Sequence, residues 1–186
     1  MEARVVSAEP WSFEVGRLQW LPIPAREQRV DGLNERWVDE AVERARVVTI
    51  SGEEVEAEWR PLFASMLEEA PDGDSAVFFP FGLFAPLHVA FDTRTAEQTL
   101  ETIAQWLDEE HATVDSRALD AAVLEDARLV MRIERPQVGP VSYAVGLFGL
   151  GRDLGIAITA RTDDPIVAGQ FGDAGIPLLE SFRRAA

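Results

Sequence analysis

The chain has 186 residues, 47% hydrophobic and 27% charged, with 13 glycines and 11 prolines, a composition that excludes the disordered and fibrous classes and suits one globular domain. Thirty-three acids against 17 basic residues give a formal charge of −16, which makes nucleic acid a poor partner because phosphate binding needs a basic surface. The absence of cysteine removes disulfides, thiolate catalysis and cysteine-containing zinc sites.

Every basic residue is arginine and Asn34 is the sole asparagine, the mark of a high-GC codon bias. Without lysine there is no Schiff-base or P-loop lysine chemistry. The start, Met1 to Ser7, carries charge and is followed by Pro10; it offers no signal h-region, so a cytoplasmic location is expected. The longest apolar segment, Ala76 to Ala90, is broken by Pro80, Gly82, Pro86 and His88, and no membrane insertion is expected.

Trp11, Phe13 and Val15 alternate with Ser12 and Glu14, the period of a half-buried strand, whereas Trp20-Leu21-Pro22-Ile23-Pro24 is too rich in proline for a central one. The spacing then predicts an amphipathic helix from about Leu33 to Arg46, its apolar stripe running through Leu33, Trp37, Val38, Ala41, Val42 and Ala45. Ser51 and Glu54 have capping-box spacing ahead of Val55, Trp59, Phe63, Met66 and Leu67. Pro61 inside that stretch predicts a kink or a restart, and Pro71-Asp72-Gly73-Asp74 ends it as a turn. Ala76 to Phe81 and Leu87 to Phe91 read as two strands around a Gly/Pro bend.

Thr95 and Gln98 form a second capping box, before a helix whose apolar face is Leu100, Ile103, Ala104 and Leu107. Leu119 to Leu124 is open between helix and strand, because six residues do not settle the period. From Arg128 the alternation is clean. Leu129, Met131 and Ile133 oppose Arg132 and Glu134; Tyr143, Val145 and Leu147 repeat the pattern, as do Ile156, Ile158 and Ala160, predicting an antiparallel meander. Asp164-Pro165 starts a C-terminal helical region. Pro177 does not suit mid-helix, so a break is expected at Gly172-Asp173, with a last helix through Leu178, Leu179 and Phe182. The fold class expected is α+β, a single domain over 1–186. An N-terminal arm and helices occupy 1–75, and an antiparallel β-sheet covered by helices on one face occupies 76–186.

The run Ala122 to Ile133, followed by Tyr143-Ala144-Val145, Gly155 to Thr159 and the closing Leu178 to Arg183, resembles the C-terminal half of PsbP-like domains, a group that includes LpqN-type and DcrB-type domains. The resemblance covers about Ala76 to Ala186 and rests on element order. It implies an adaptor or assembly factor. The whole chain is also similar to actinobacterial proteins of this size, a likeness that carries no activity.

Few residues invite catalytic chemistry. His88 alternates with Leu87 and Val89 and reads as a sheet-surface histidine, and His111 follows an acidic helix end where an imidazolium is favoured. The two lack the spacing of a helical zinc pair. Glu53-Glu54, Glu68-Glu69, Glu109-Glu110 and Asp163-Asp164 are neighbours one residue apart, which do not face a common site on a helix. Gly146 to Gly151 continues into a strand and reads as a hairpin, and no serine sits in a nucleophile elbow. No catalytic, cofactor-binding or metal-binding residue is assigned, and no cofactor is expected.

The aromatic run Phe78, Phe79, Phe81, Phe84 and Phe91 is different. Phe78 and Phe79 project to opposite faces of one strand, so either a helix covers the second face or an aromatic is left for a partner. Phe78, Phe79, Phe81 and Phe84 are the candidate partner-binding residues. The leading functional expectation is a non-catalytic adaptor, assembly or chaperone-like protein that binds a protein or hydrophobic peptide. Two alternatives stay open: an immunity protein or chaperone for a basic effector, drawn by the negative charge, and an enzyme or small-ligand binder whose pocket assembles from scattered residues.

Overall fold

The computed structural model describes residues 4–8, 11–15, 19–49, 53–72, 74–108, 110, 112–121, 124–136, 139–180 and 183–184. The N-terminal strands β1 (Arg4–Ala8) and β2 (Trp11–Val15) pair antiparallel. β3 (Trp20–Ile23) and a 3-10 turn (Arg26–Gln28) lead to helices α1 (Asp31–Val48) and α2 (Glu53–Glu69). Then come β4 (Ser75–Phe78), β5 (Leu87–Thr95), α3 (Ala96–Trp106), β6 (Ala112–Ala118), β7 (Asp126–Glu134), β8 (Ser142–Leu150), β9 (Leu154–Thr162), α4 (Pro165–Glu180) and β10 (Arg183–Arg184). Seven strands form one antiparallel sheet in the order β3-β4-β5-β9-β8-β7-β6, and β10 joins β2 and β1 in a three-stranded sheet.

The α+β class and the meander β7-β8-β9 are observed, with Leu147 opposite Ile158 and Leu129 opposite Leu147. Proline-rich β3 lies at the sheet edge, where Pro22 leaves no central ladder bond unmade. The expectation that helices cover one face is corrected. α4 packs on a first face, where Val167, Phe171 and Leu178 meet Phe78, Val89, Leu147 and Ile158. The opposite face is covered twice. α1 and α2 sit over β3 and β4 through Trp37, Trp59, Phe63, Val77 and Phe79, while α3 sits over the β7–β9 region through Ile103, Val130, Phe148 and Ala157. β8 explains why both faces need cover: Ala144 to Leu150 is buried throughout, and a strand apolar on both faces must be sandwiched.

At three places the local signals do not decide the outcome. α4 runs unbroken through Gly172, Asp173 and Pro177. An interior proline costs about 3 kcal/mol, but Phe171, Leu178 and Leu179 are buried on either side of the expected break, each contributing roughly 1.5–3 kcal/mol. Pro177 itself faces solvent. α2 likewise continues through Pro61 without a restart, with Pro61 and Ala57, whose carbonyl the ring displaces, both exposed. Leu119–Ala121 is neither helix nor strand, and the polar segment ahead of it forms edge strand β6.

The capping box at Thr95 and Gln98 is present, joining β5 directly to α3. The buried side of α3 is turned from the expected one: Thr99 and Ile103 are buried, whereas Leu100 is 53% exposed. Gly155 sets this rotation. A Cβ added there would lie 2.6 Å from Thr99 Cβ and 2.8 Å from its Cγ2, so only glycine lets α3 approach β9 this closely. Leu33, at the start of α1, is also exposed rather than part of the stripe, and Trp37, Val38, Ala41, Val42 and Ala45 are buried as expected. The cap expected at Ser51 and the last-helix residue Phe182 lie outside the described residues.

Candidate functional site

The four candidate aromatics separate. Phe78 is buried on the first face against Trp20 and Phe171, with ring centroids 5.0 and 5.7 Å away. Phe79, one residue on, is buried on the second face against Phe63 at 5.7 Å. The opposite projections are thus both filled, because helices lie on both sides of β4. Phe78 and Phe79 are core residues and are unavailable to a partner. Phe84 is half-buried, stacked on Trp59 at 4.5 Å, and Phe91 is buried. Phe81 alone of the five is exposed, at 54%.

Phe81 is held out rather than loosely exposed. Its amide donates to Oε1 of Gln170 at 2.7 Å, and Nε2 of Gln170 donates back to its carbonyl at 3.1 Å. The next residue, Gly82, has φ of 76°, a conformation that favours glycine, and its amide donates to the Val48 carbonyl at 2.8 Å. Thr49 Oγ1 adds a 3.4 Å bond to the Leu83 carbonyl. The loop is therefore tied to the end of α1 and the first half of α4. Two further exposed apolar residues stand at those ties: Val47, beside Val48, and Ile166, one helical turn before Gln170.

A concavity of about 870 Å³ runs between α1 and α2 at the opposite end of α1 from the Phe81 loop. Its floor includes Val38 and Leu67, with Pro61 and Ala64 on its wall. The arginines along it are engaged. Arg26 pairs with Asp72 at 3.2 Å and Arg60 with Asp39 at 2.5 Å. Arg29 donates to the Leu67 and Ala70 carbonyls at 3.0 Å each, capping the end of α2. Glu35 and Glu68 also line the groove and make no hydrogen bond or ion pair among the described residues. Asn34 Oδ1 is buried there without a hydrogen-bond partner.

Beside α3 a polar cleft of about 370 Å³ is lined by Asp92, Arg94, Gln98, Glu101, Thr102 and Gln105. Arg94 donates to Asp92 at 2.6 Å and to Thr102 Oγ1 at 3.1 Å. The hydrogen bond to Asp92 raises the Arg94 pKa further above its ordinary range, so this guanidinium is a fixed cation rather than a proton carrier. His88 lies on the second face opposite Val77. Its Nε2 is buried without a partner, and burial pushes its pKa below the ordinary 6.5. The structure makes it a half-buried neutral imidazole; His111 lies outside the described residues. Among the described residues no three His, Asp or Glu side chains gather as a metal site, and no helix is long and apolar enough to cross a membrane.

Sequence reasoning placed the aromatic loop but missed the residue that organises it. Gln170 is 89 positions from Phe81, and a glutamine in an otherwise apolar helical run is the only local sign of it. No family model, curated protein or solved structure matches the chain.

Proposed function

We propose that this chain is a non-catalytic protein-binding module that anchors its partner on Phe81. One observation carries the reading: Phe81 is 54% exposed while Gln170 holds its backbone from both sides. An exposed aromatic on an ordered loop loses less freedom on binding, and ordering a mobile side chain costs about 0.5–1.5 kcal/mol. Buried aromatic anchors carry most interface energy. Val47 and Ile166 are further exposed apolar residues, next in the chain to Val48 and one helical turn before Gln170. The PsbP-like resemblance in element order supports the same class of role. The net charge of −16 favours a basic partner, such as an effector held by an immunity protein or chaperone, by speeding encounter.

The test compares Phe81→Ala with Leu100→Ala, an equally exposed residue on α3, in capture from native lysate. Phe81→Ala is expected to weaken retention of the specific partner by roughly 30-fold, or about 2 kcal/mol, with Leu100→Ala unchanged. Equal retention by both folded variants would overturn the anchor.

A further inference from the structure

The net charge is unevenly distributed. The segment from Asp31 to Glu69 carries eleven acids and four arginines, −7 of the chain's −16 in 39 residues, whereas the 30 residues before it are neutral. This is the α1–α2 hairpin, and its outer groove joins that charge to an apolar floor. Arg26, Arg60 and Arg29 are committed to Asp72, Asp39 and backbone carbonyls. The carboxylates without an ion pair there are Glu35 and Glu68, one from each helix, flanking Val38, Ala64 and Leu67, against one cation not paired with a carboxylate, Arg29.

We propose that the α1–α2 groove seats a cationic, amphipathic segment of a partner protein. Its apolar residues rest on Val38, Ala64 and Leu67, and its basic residues reach Glu35 and Glu68. Paired helices offer this geometry to a third amphipathic helix, which reads them with side chains on a single face. This inference rests on the protein-binding reading but uses a different surface. Asn34 and Val38 lie ten to fourteen residues along α1 from Val48, about 15–20 Å at 1.5 Å per residue, so Phe81 variants and groove variants fail separately.

The probe is a synthetic 18-residue leucine/lysine peptide with helical amphipathic spacing, set against a scrambled peptide of equal charge and a glutamate version. Binding is followed by NMR shifts of the full chain. Shifts are expected at Asn34–Val38 and Arg60–Glu68, with binding about five- to tenfold weaker in the Glu35→Gln/Glu68→Gln variant. Ala64→Trp, which fills the groove from an exposed position, is expected to weaken binding more than about tenfold through steric occlusion. Phe81→Ala should bind the peptide as wild type does. Equal affinity for the scrambled peptide, shifts spread over the other acidic surfaces, or unchanged binding by both groove variants would overturn the proposal. So would dimerisation without peptide that Glu35→Gln/Glu68→Gln abolishes, because the occupant would then be a second copy.

Discussion

Replacing Gln170 with alanine removes both hydrogen bonds that hold the Phe81 backbone, of 2.7 and 3.1 Å, and leaves Phe81 itself in place. Each such bond contributes about 0.5–1.5 kcal/mol net, so opening of the loop should become easier by about 1–3 kcal/mol, or roughly 5- to 150-fold in population. Alanine is the better helix former, so α4 should not suffer from the change. Hydrogen exchange read at the Gly82 amide is the appropriate assay, because its bond to the Val48 carbonyl is untouched by the substitution. Faster exchange there reports loss of the surrounding order. The Ala168 amide, bonded to the Asp164 carbonyl at 3.0 Å, serves as control for α4. Unchanged protection at Gly82, with Ala168 also unchanged, would show that the loop is held by its glycine turn and Val48 alone. The ordered-anchor argument for Phe81 would then fail.

Gly155→Ala should destabilise by about 1–3 kcal/mol through overpacking against Thr99. Thr99→Ala removes Oγ1 and Cγ2, two of the three atoms in the way, so denaturant midpoints of the double variant should show a coupling of about 0.5–3 kcal/mol; strict additivity would mean that α3 does not rest on Gly155. His88 should lower stability in acid. Its folded pKa lies below the ordinary 6.5, so the unfolded chain binds more protons in that window, and stability falls as pH drops from about 7 towards the folded value. His88→Val should flatten this part of the urea-midpoint profile, and parallel profiles would refute the assigned burial.

Much of the architecture was legible because short-range signals act locally. The alternation from Arg128 onward, the capping box at Thr95 and Gln98, and the Asp164 cap, whose carboxylate accepts from the Ile166 and Val167 amides at 2.7 and 3.3 Å, each act within a few residues. Other features needed distant partners. Arg132 Nη1 gathers the Gln105, Trp106 and Asp108 carbonyls at 3.0, 2.6 and 2.9 Å, capping α3 from a strand that follows it in the chain. Nothing in the spacing around Arg132 separates this role from that of any solvated strand arginine.

The sequence by itself determined helices α1, α2 and α3, the antiparallel meander β7-β8-β9 and the exclusion of the proline-rich β3 from the sheet centre, while it left Leu119 to Leu124 open and placed a break inside α4. Tertiary structure decided which sheet face each helix covers, and therefore which phenylalanine remains exposed. The reason is that periodicity records that a side chain is apolar but not what will cover it. Phe78 and Phe79 are equivalent in the sequence as neighbours on one strand, and both are buried because helices pack on each side of β4. Phe81 is exposed because the chain turns at Gly82 and Gln170 holds the turn in place.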